Sequence, residues 1–207
     1  ILKPIIHSVG IVGSRRCTEY GKYVTAEAAG YLAKKGIPVI SGMAKGIDGY
    51  AHTACMKADG YTLAFLGSGI DICYPREHKI LMEQIIKNGV VLSEYPPGIE
   101  PKAGHFPKRN ELIAAWSKKL LVVEASEKSG ALLTAKYGKS LGREIYAVPN
   151  QIYNKTSKGT NQLIADGEHI YLLPQQLLIN GTTDKVDKFD VVNHTARHQN
   201  VPTTTSL

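Results

Sequence analysis

Two arginines, Arg15 and Arg16, directly follow Gly13-Ser14 at the end of one apolar run, and Lys45 stands between Gly42 and Gly46 at the end of another. Cationic side chains beside small, flexible backbone are what grips phosphate: a guanidinium fork chelates its oxygens, and glycine lets backbone N–H groups come close. Arginine pairs are also common as solvated surface charge, so the placement after Gly13-Ser14 is what favours phosphate contact. The Lys45 loop is no P-loop, because G-x-x-x-x-G-K-[ST] occurs nowhere in the chain. Gly67 and Gly69 lack the third glycine of a dinucleotide fingerprint, which argues against a nicotinamide cofactor.

Carboxylates could supply acid–base or metal chemistry, and Asp48, Asp71, Glu94 and Glu124 all fall near the ends of apolar runs. Asp48 and His52 stand four residues apart on one expected helix. The structural reading is favoured: Asp48 caps that helix, the other acids pair with Arg15, Arg16 or Arg109, and His52 is an ordinary helix residue. No second histidine stands at ligand spacing, so no metal is expected. No G-x-S-x-G elbow marks a nucleophilic serine.

The stretch from Pro101 to Lys119 bears on the choice of ligand. Lys102, His105, Phe106, Lys108 and Arg109 cluster after a proline-rich loop, with Trp116, Lys118 and Lys119 beyond. An aromatic ring among cations suits single-stranded nucleic acid, in which charge holds the backbone and bases stack on the ring. Trp116, inside an expected helix, reads as a core residue. Phe106, in a loop flanked by glycine and proline, fits either a core or a stacking role.

These residues need a frame that brings them together. Apolar runs over 8–13, 37–42, 61–67, 90–95, 120–125 and 144–149 alternate with helical patterns over 20–35, 47–58, 77–88, 109–117 and 129–141. Most runs are apolar at consecutive positions, as in strands of a parallel sheet covered on both faces. Gly36, Gly60, Gly89 and Gly142 are placed to end helices. A last helix over 161–166 and an apolar run over 170–173 finish the unit. The pattern predicts an α/β fold, extended Rossmann-like, with a doubly wound, mostly parallel sheet. Ligands of such sheets sit beyond the C-terminal strand ends, where Gly13–Arg16, the Gly42–Gly46 loop and Ser129-Gly130 would all lie.

Composition agrees. The 207 residues carry 25 Lys+Arg against 18 Asp+Glu, a net charge of +7, which suits a polyanionic partner. No apolar run is long enough for a membrane helix, and no secretory signal pattern opens the chain. Three cysteines without C-x-x-C spacing fit a reducing, cytoplasmic setting. Residues 1–180 read as one domain and 181–207 as a polar tail or linker. The opening at Ile1 and that tail suggest a piece of a longer protein.

Read in order, G-S-R-R, S-G-M-A-K-G-I-D-G-Y-A-H, G-S-G-I-D-I-C-Y-P, S-E-Y-P-P-G, F-P-K-R-N, S-G-A-L-L-T-A and G-T-N-Q-L-I-A-D-G resemble the DNA-processing protein A family (DprA, also called Smf). Each motif is loose alone; their order and spacing across residues 8–173 make the resemblance specific. It implies a Rossmann-like domain that binds single-stranded DNA without catalysis or cofactor. Members protect incoming strands in natural transformation, help load the RecA recombinase, and work as homodimers in the bacterial cytoplasm. The resemblance carries DNA contact to Ser14, Arg15, Arg16, Gly42, Lys45, Gly46, Phe106, Arg109, Asn110, Ser129 and Gly130, with Phe106 offering a stacking face. It carries the dimer contact to the neighbourhood of Leu163, Ile164 and Tyr171. Members often add a small helical domain before this one and a winged helix after it.

Three departures stand out. Glu111 occupies a place where the family often has arginine, Asn150 replaces the glycine of a Val-Pro-Gly turn, and Tyr137-Gly138 interrupts an alanine-rich helix. The rival readings are a nucleotide-hydrolysing enzyme of the LOG-type phosphoribohydrolase group or a small-nucleotide sensor on the same fold. The enzymes carry P-G-G-x-G-T-x-x-E, whereas the corresponding stretch here runs from Glu124 to Thr134 with no Pro-Gly-Gly and no acid at that offset.

Overall fold

A computed structural model describes residues 7–178 of the chain; the expected tail lies outside the described residues. The apolar runs become strands β1 (Val9–Val12), β2 (Val39–Ser41), β3 (Thr62–Leu66), β4 (Val90–Ser93), β5 (Lys119–Val122), β6 (Glu144–Ala147) and β7 (His169–Ile170). They form one seven-stranded sheet in the order β4-β3-β2-β1-β5-β6-β7. Every pairing is parallel, a stricter outcome than the mostly parallel sheet expected.

Between the strands run α1 (Glu19–Lys34), α2 (Ile47–Lys57), α3 (Lys79–Asn88), α4 (His105–Trp116), α5 (Gly130–Ser140) and α6 (Lys158–Ala165). Helices α1 and α2 cover one face and α4 and α5 the other. The consecutive apolar residues follow from this double cover. Along β5 and just beyond it, Leu121 and Val123 enter the core under α1 and α2, while Leu120 and Val122 enter the core under α4 and α5. Each such fully buried aliphatic side chain contributes roughly 1.5–3 kcal/mol of transfer free energy.

Several boundaries differ from the sequence reading. Helix α4 starts at His105 rather than 109, because Pro107 sits in its first turn, where no helical N–H partner is needed. Helix α6 starts at Lys158 rather than 161, and β7 is only His169–Ile170. The residue that turns left-handed after α2 is Asp59 (φ 56°), not Gly60. Gly60 instead admits close packing, since a Cβ there would lie 2.4 Å from that of Ala33.

The strand order fixes where a ligand can enter. The chain works outward from β1 to β4, then returns to place β5 on the other side of β1. Connections leaving β1 and β5 therefore diverge to opposite faces and leave a crevice above their C-terminal ends.

Candidate nucleic-acid interface

That crevice is a cleft of about 880 Å³ whose floor is Val12 and Gly13. Ser14, Arg15 and Arg16 line one side, the first turns of α4 and α5 line another, and Lys155 and Thr156 close it from the connection after β6. Ser14 shapes its side: Oγ accepts from the Arg16 N–H (3.1 Å) and donates to the Arg16 carbonyl (3.0 Å). This local turn projects both arginines into solvent. Neither forms an ion pair among the described residues.

The ring of Phe106 stands at the start of α4, half-buried. The Arg15 guanidinium lies 5.4 Å from its centroid, the Arg109 guanidinium 5.7 Å, and the Tyr74 ring 5.5 Å away at a 41° tilt. Cation–π contact of this kind contributes about 0.5–2 kcal/mol. A base stacking on Phe106 would share the ring with Arg15 or displace it.

Arg109 does not belong to the exposed row. It is 4% exposed, and Nη1 donates to the carbonyls of Gly42 and of Phe65 (3.0 Å) while Nε donates to Asn110 Oδ1 (3.1 Å). Burial lowers its pKa, with the Asp48 charge opposing. Its head is a strut between α4 and the loop after β2.

That loop is held from within. Asp48 Oδ2 accepts from the N–H groups of Gly42 (3.1 Å) and Ala44 (3.4 Å), and His78 Nδ1 lies 2.9 Å from the Met43 carbonyl. Burial pushes the Asp48 carboxyl upward, opposed by the Arg109 charge and the two N–H donors. Two donors of this loop thus meet an internal carboxylate, and Gly42 and Gly46 shape the cleft from behind. A Cβ on Gly42 would lie 2.4 Å from the Arg109 guanidinium, and one on Gly46 (φ 74°) would lie 2.2 Å from the Ser14 carbonyl. Lys45 is exposed and pairs with Glu77, whose carboxyl it holds below the usual range. It lines a small recess next to the cleft with Arg15, Tyr74 and Phe106.

On the α5 side, Ser129 caps the helix by accepting from the Ala131 N–H (3.3 Å), and Gly130 is exposed at its mouth. Asn110 ties α4 to α5 by donating from Nδ2 to the Gly130 carbonyl (3.2 Å). Glu111 is exposed and does not line the cleft. Eight of the residues singled out in the sequence, Ser14, Arg15, Arg16, Phe106, Arg109, Asn110, Ser129 and Gly130, thus meet in one cleft.

Other expectations need correction. Glu124 is fully buried and meets no arginine among the described residues; it accepts from the Thr18 N–H (3.0 Å) and hydroxyl, anchoring the start of α1. Asp71 accepts from the Gly98 N–H (2.9 Å). Asp48 does cap, but it caps the loop preceding its helix. Trp116 is 39% exposed, edge-on to Phe65 at 5.4 Å, and only half a core residue. Tyr171 is 4% exposed within the core beneath α1 and offers little surface of its own for the expected dimer contact. Its neighbours Ile170 and Leu172 are exposed instead, while Leu163 and Ile164 on α6 are half-buried. His52 is an ordinary core histidine: Nδ1 lies 2.7 Å from Thr62 Oγ1, and burial pushes its pKa down to about 3.

The sequence reading missed Tyr74, Lys155 and Thr156 as lining residues. Tyr74 had one signal, its place just past the third strand end. Lys155 had none, because nothing local shows that its loop turns back over the cleft. Among the described residues, no three His, Cys, Asp or Glu gather to hold a metal, and no helix is long and apolar enough to cross a membrane.

Similar proteins share this frame. Protein Smf of Synechocystis is 43% identical over 173 residues, which cover 84% of this chain and 44% of that protein. DNA processing protein A of Streptococcus pneumoniae superposes with a TM-score of 0.78 at 35% identity, covering 83% of this chain and 60% of that one. The Helicobacter pylori DNA processing protein A, solved for insight into its single-stranded DNA binding mode, superposes at 0.75 with 32% identity, covering 82% and 77%. The chain spans about half the length of the curated relatives it matches. The family described as DNA recombination-mediator protein A matches residues 2–181, the whole of the sheet and every loop of the cleft. With the ordered motifs, the strand order and these likenesses in agreement, the chain belongs to the DNA recombination-mediator protein A family.

Proposed function

We propose that this domain binds single-stranded DNA along the cleft above β1 and β5. The observation that carries the reading is the pair Arg15 and Arg16, exposed and without ion-pair partners among the described residues, facing the α5 N-terminus across a cleft that Lys155 also lines. Phosphates would run between the two arginines and the Ser129-Gly130 turn, with a base against Phe106 and Tyr74. Lys45 would act from the adjoining recess, its charge shared with Glu77. Gly42, Gly46, Arg109 and Asn110 would support binding by holding loops in register. The single-strand binding addressed in the Helicobacter pylori relative supports the same reading.

The biological role that fits is protection of incoming strands in natural transformation and delivery to the RecA recombinase, by a homodimer in the cytoplasm. An enzyme is less well supported. Asp48 is the one carboxylate lining the cleft among the described residues, and its oxygen is already engaged by Gly42 and Ala44.

Labelled single strands of graded length, with duplex competitor and a salt series, test the reading. Log K should fall with log salt by about 0.7 per phosphate neutralised. Arg15→Glu with Arg16→Glu should weaken binding by roughly 100-fold or more, two charge-assisted bonds at about 1.5 kcal/mol each, with unfolding unchanged. Equal binding by the double variant would place the site elsewhere. Release of free base from nucleoside monophosphates would establish the hydrolase instead, and tighter binding of mononucleotide than oligomer would establish a sensor.

A further inference from the structure

The loop between β6 and α6 is tightly built yet holds an aromatic ring in water. Asn161 clamps Asn150, accepting from its N–H (3.2 Å) and donating to its carbonyl (3.0 Å). Ser157 Oγ bonds to the carbonyls of Gln151 (2.5 Å) and Asn154 (2.8 Å), and Asn154 Oδ1 accepts from the Thr156 N–H (3.1 Å) and hydroxyl (3.0 Å). At the tip of this network Tyr153 is 90% exposed and Ile152 70% exposed. Tyrosine is a ring that elsewhere supplies large contact area. Two residues on, Lys155 lines the cleft and pairs with no acid among the described residues.

We propose that this loop continues the single-strand track past the cleft, with Tyr153 stacking a base and Lys155 holding an adjoining phosphate. The inference rests on the single-strand reading of the cleft. Continuity argues for the same ligand: Lys155 and Thr156 line the same cleft as Arg15 and Arg16, and the ring stands two residues from Lys155 on the same hydrogen-bonded loop. Charge favours a polyanion at Lys155. Lys158 adds less, since it pairs with Glu127 at 3.2 Å. An aromatic beside a cation is the sequence-tolerant pairing that single strands use.

The test uses the 207-residue chain and oligodeoxythymidylates of graded length. Tyr153→Ala should weaken long strands by roughly 5- to 150-fold, the worth of one stacked base, and leave the shortest tight-binding strand unchanged. Tyr153→Phe should retain the parent's affinity at every length, and fluorescence of Tyr153→Trp should be quenched only by the long strands. Parent-like binding of Tyr153→Ala at all lengths, while the Arg15/Arg16 double variant binds none, would overturn the extension and leave the cleft reading intact. A change in sedimentation with Tyr153→Ala at unchanged DNA affinity would also overturn it, marking the tip as a contact between copies. Failure of the parent to bind any strand would refute the cleft reading and the extension with it.

Discussion

Arg109 separates two kinds of cation that look alike in the sequence, and Arg109→Met tests the distinction. Methionine keeps the length and apolar bulk but removes every donor. The Gly42 and Phe65 carbonyls, both buried, lose their Nη1 partner, each at about 1–3 kcal/mol. Asp48 loses the charge that opposes the burial of its carboxyl. Breaking a buried charged network by removing one member typically costs about 3–5 kcal/mol, a large share of a total stability of roughly 5–15 kcal/mol. In urea, with a slope of about 2 kcal/mol per molar, the unfolding midpoint followed by far-UV circular dichroism should fall by about 1.5–2.5 M. Arg15→Met, at an exposed side chain without an ion pair among the described residues, should stay within about 1 kcal/mol of the parent, the worth of its exposed contact with Phe106, and lose affinity for single strands. The reasoning is refuted if Arg109→Met unfolds within about 1 kcal/mol of the parent and fails only in DNA binding, because Arg109 would then be a ligand contact rather than a strut.

Two further outcomes follow from local geometry. His52 has a folded pKa of about 3 against an ordinary 6.5. Between those values the unfolded chain takes up a proton that the folded chain refuses, so stability is full above pH 6.5 and falls as pH drops, by at most about 1.4 kcal/mol per pH unit. His52→Asn should flatten that fall in urea titrations from pH 7 to 4; an unaltered slope would show that another group causes it. Gly46→Ala combines a left-handed backbone with a Cβ 2.2 Å from the Ser14 carbonyl. It should cost about 2 kcal/mol, lower Tm by about 4–8 °C, and weaken DNA binding through the displaced Ser14–Arg16 turn. A Tm unchanged in calorimetry would contradict the close approach of the two loops.

Much of the molecule was legible in short stretches of sequence. Runs such as LLVVEA cannot alternate between core and water, so they require a sheet covered on both faces, and the glycines and arginines at their ends required a rim. Errors gathered where a residue's fate depends on partners far along the chain. Tyr171 stood in the neighbourhood expected to hold a dimer contact, yet the core beneath α1 encloses it. Glu124 read as an arginine partner, yet Thr18, distant in sequence, takes both its oxygens.

Local patterning settled the fold class and the edge of the sheet where a ligand belongs, because periodicity, turn chemistry and strand ends are written in neighbouring residues. Folding alone sorted the cations: Arg15 and Arg16 face solvent because a serine turn projects them outward, and Arg109 faces inward because two carbonyls await it. Burial depends on which distant segments pack together, and no spacing along a chain records that.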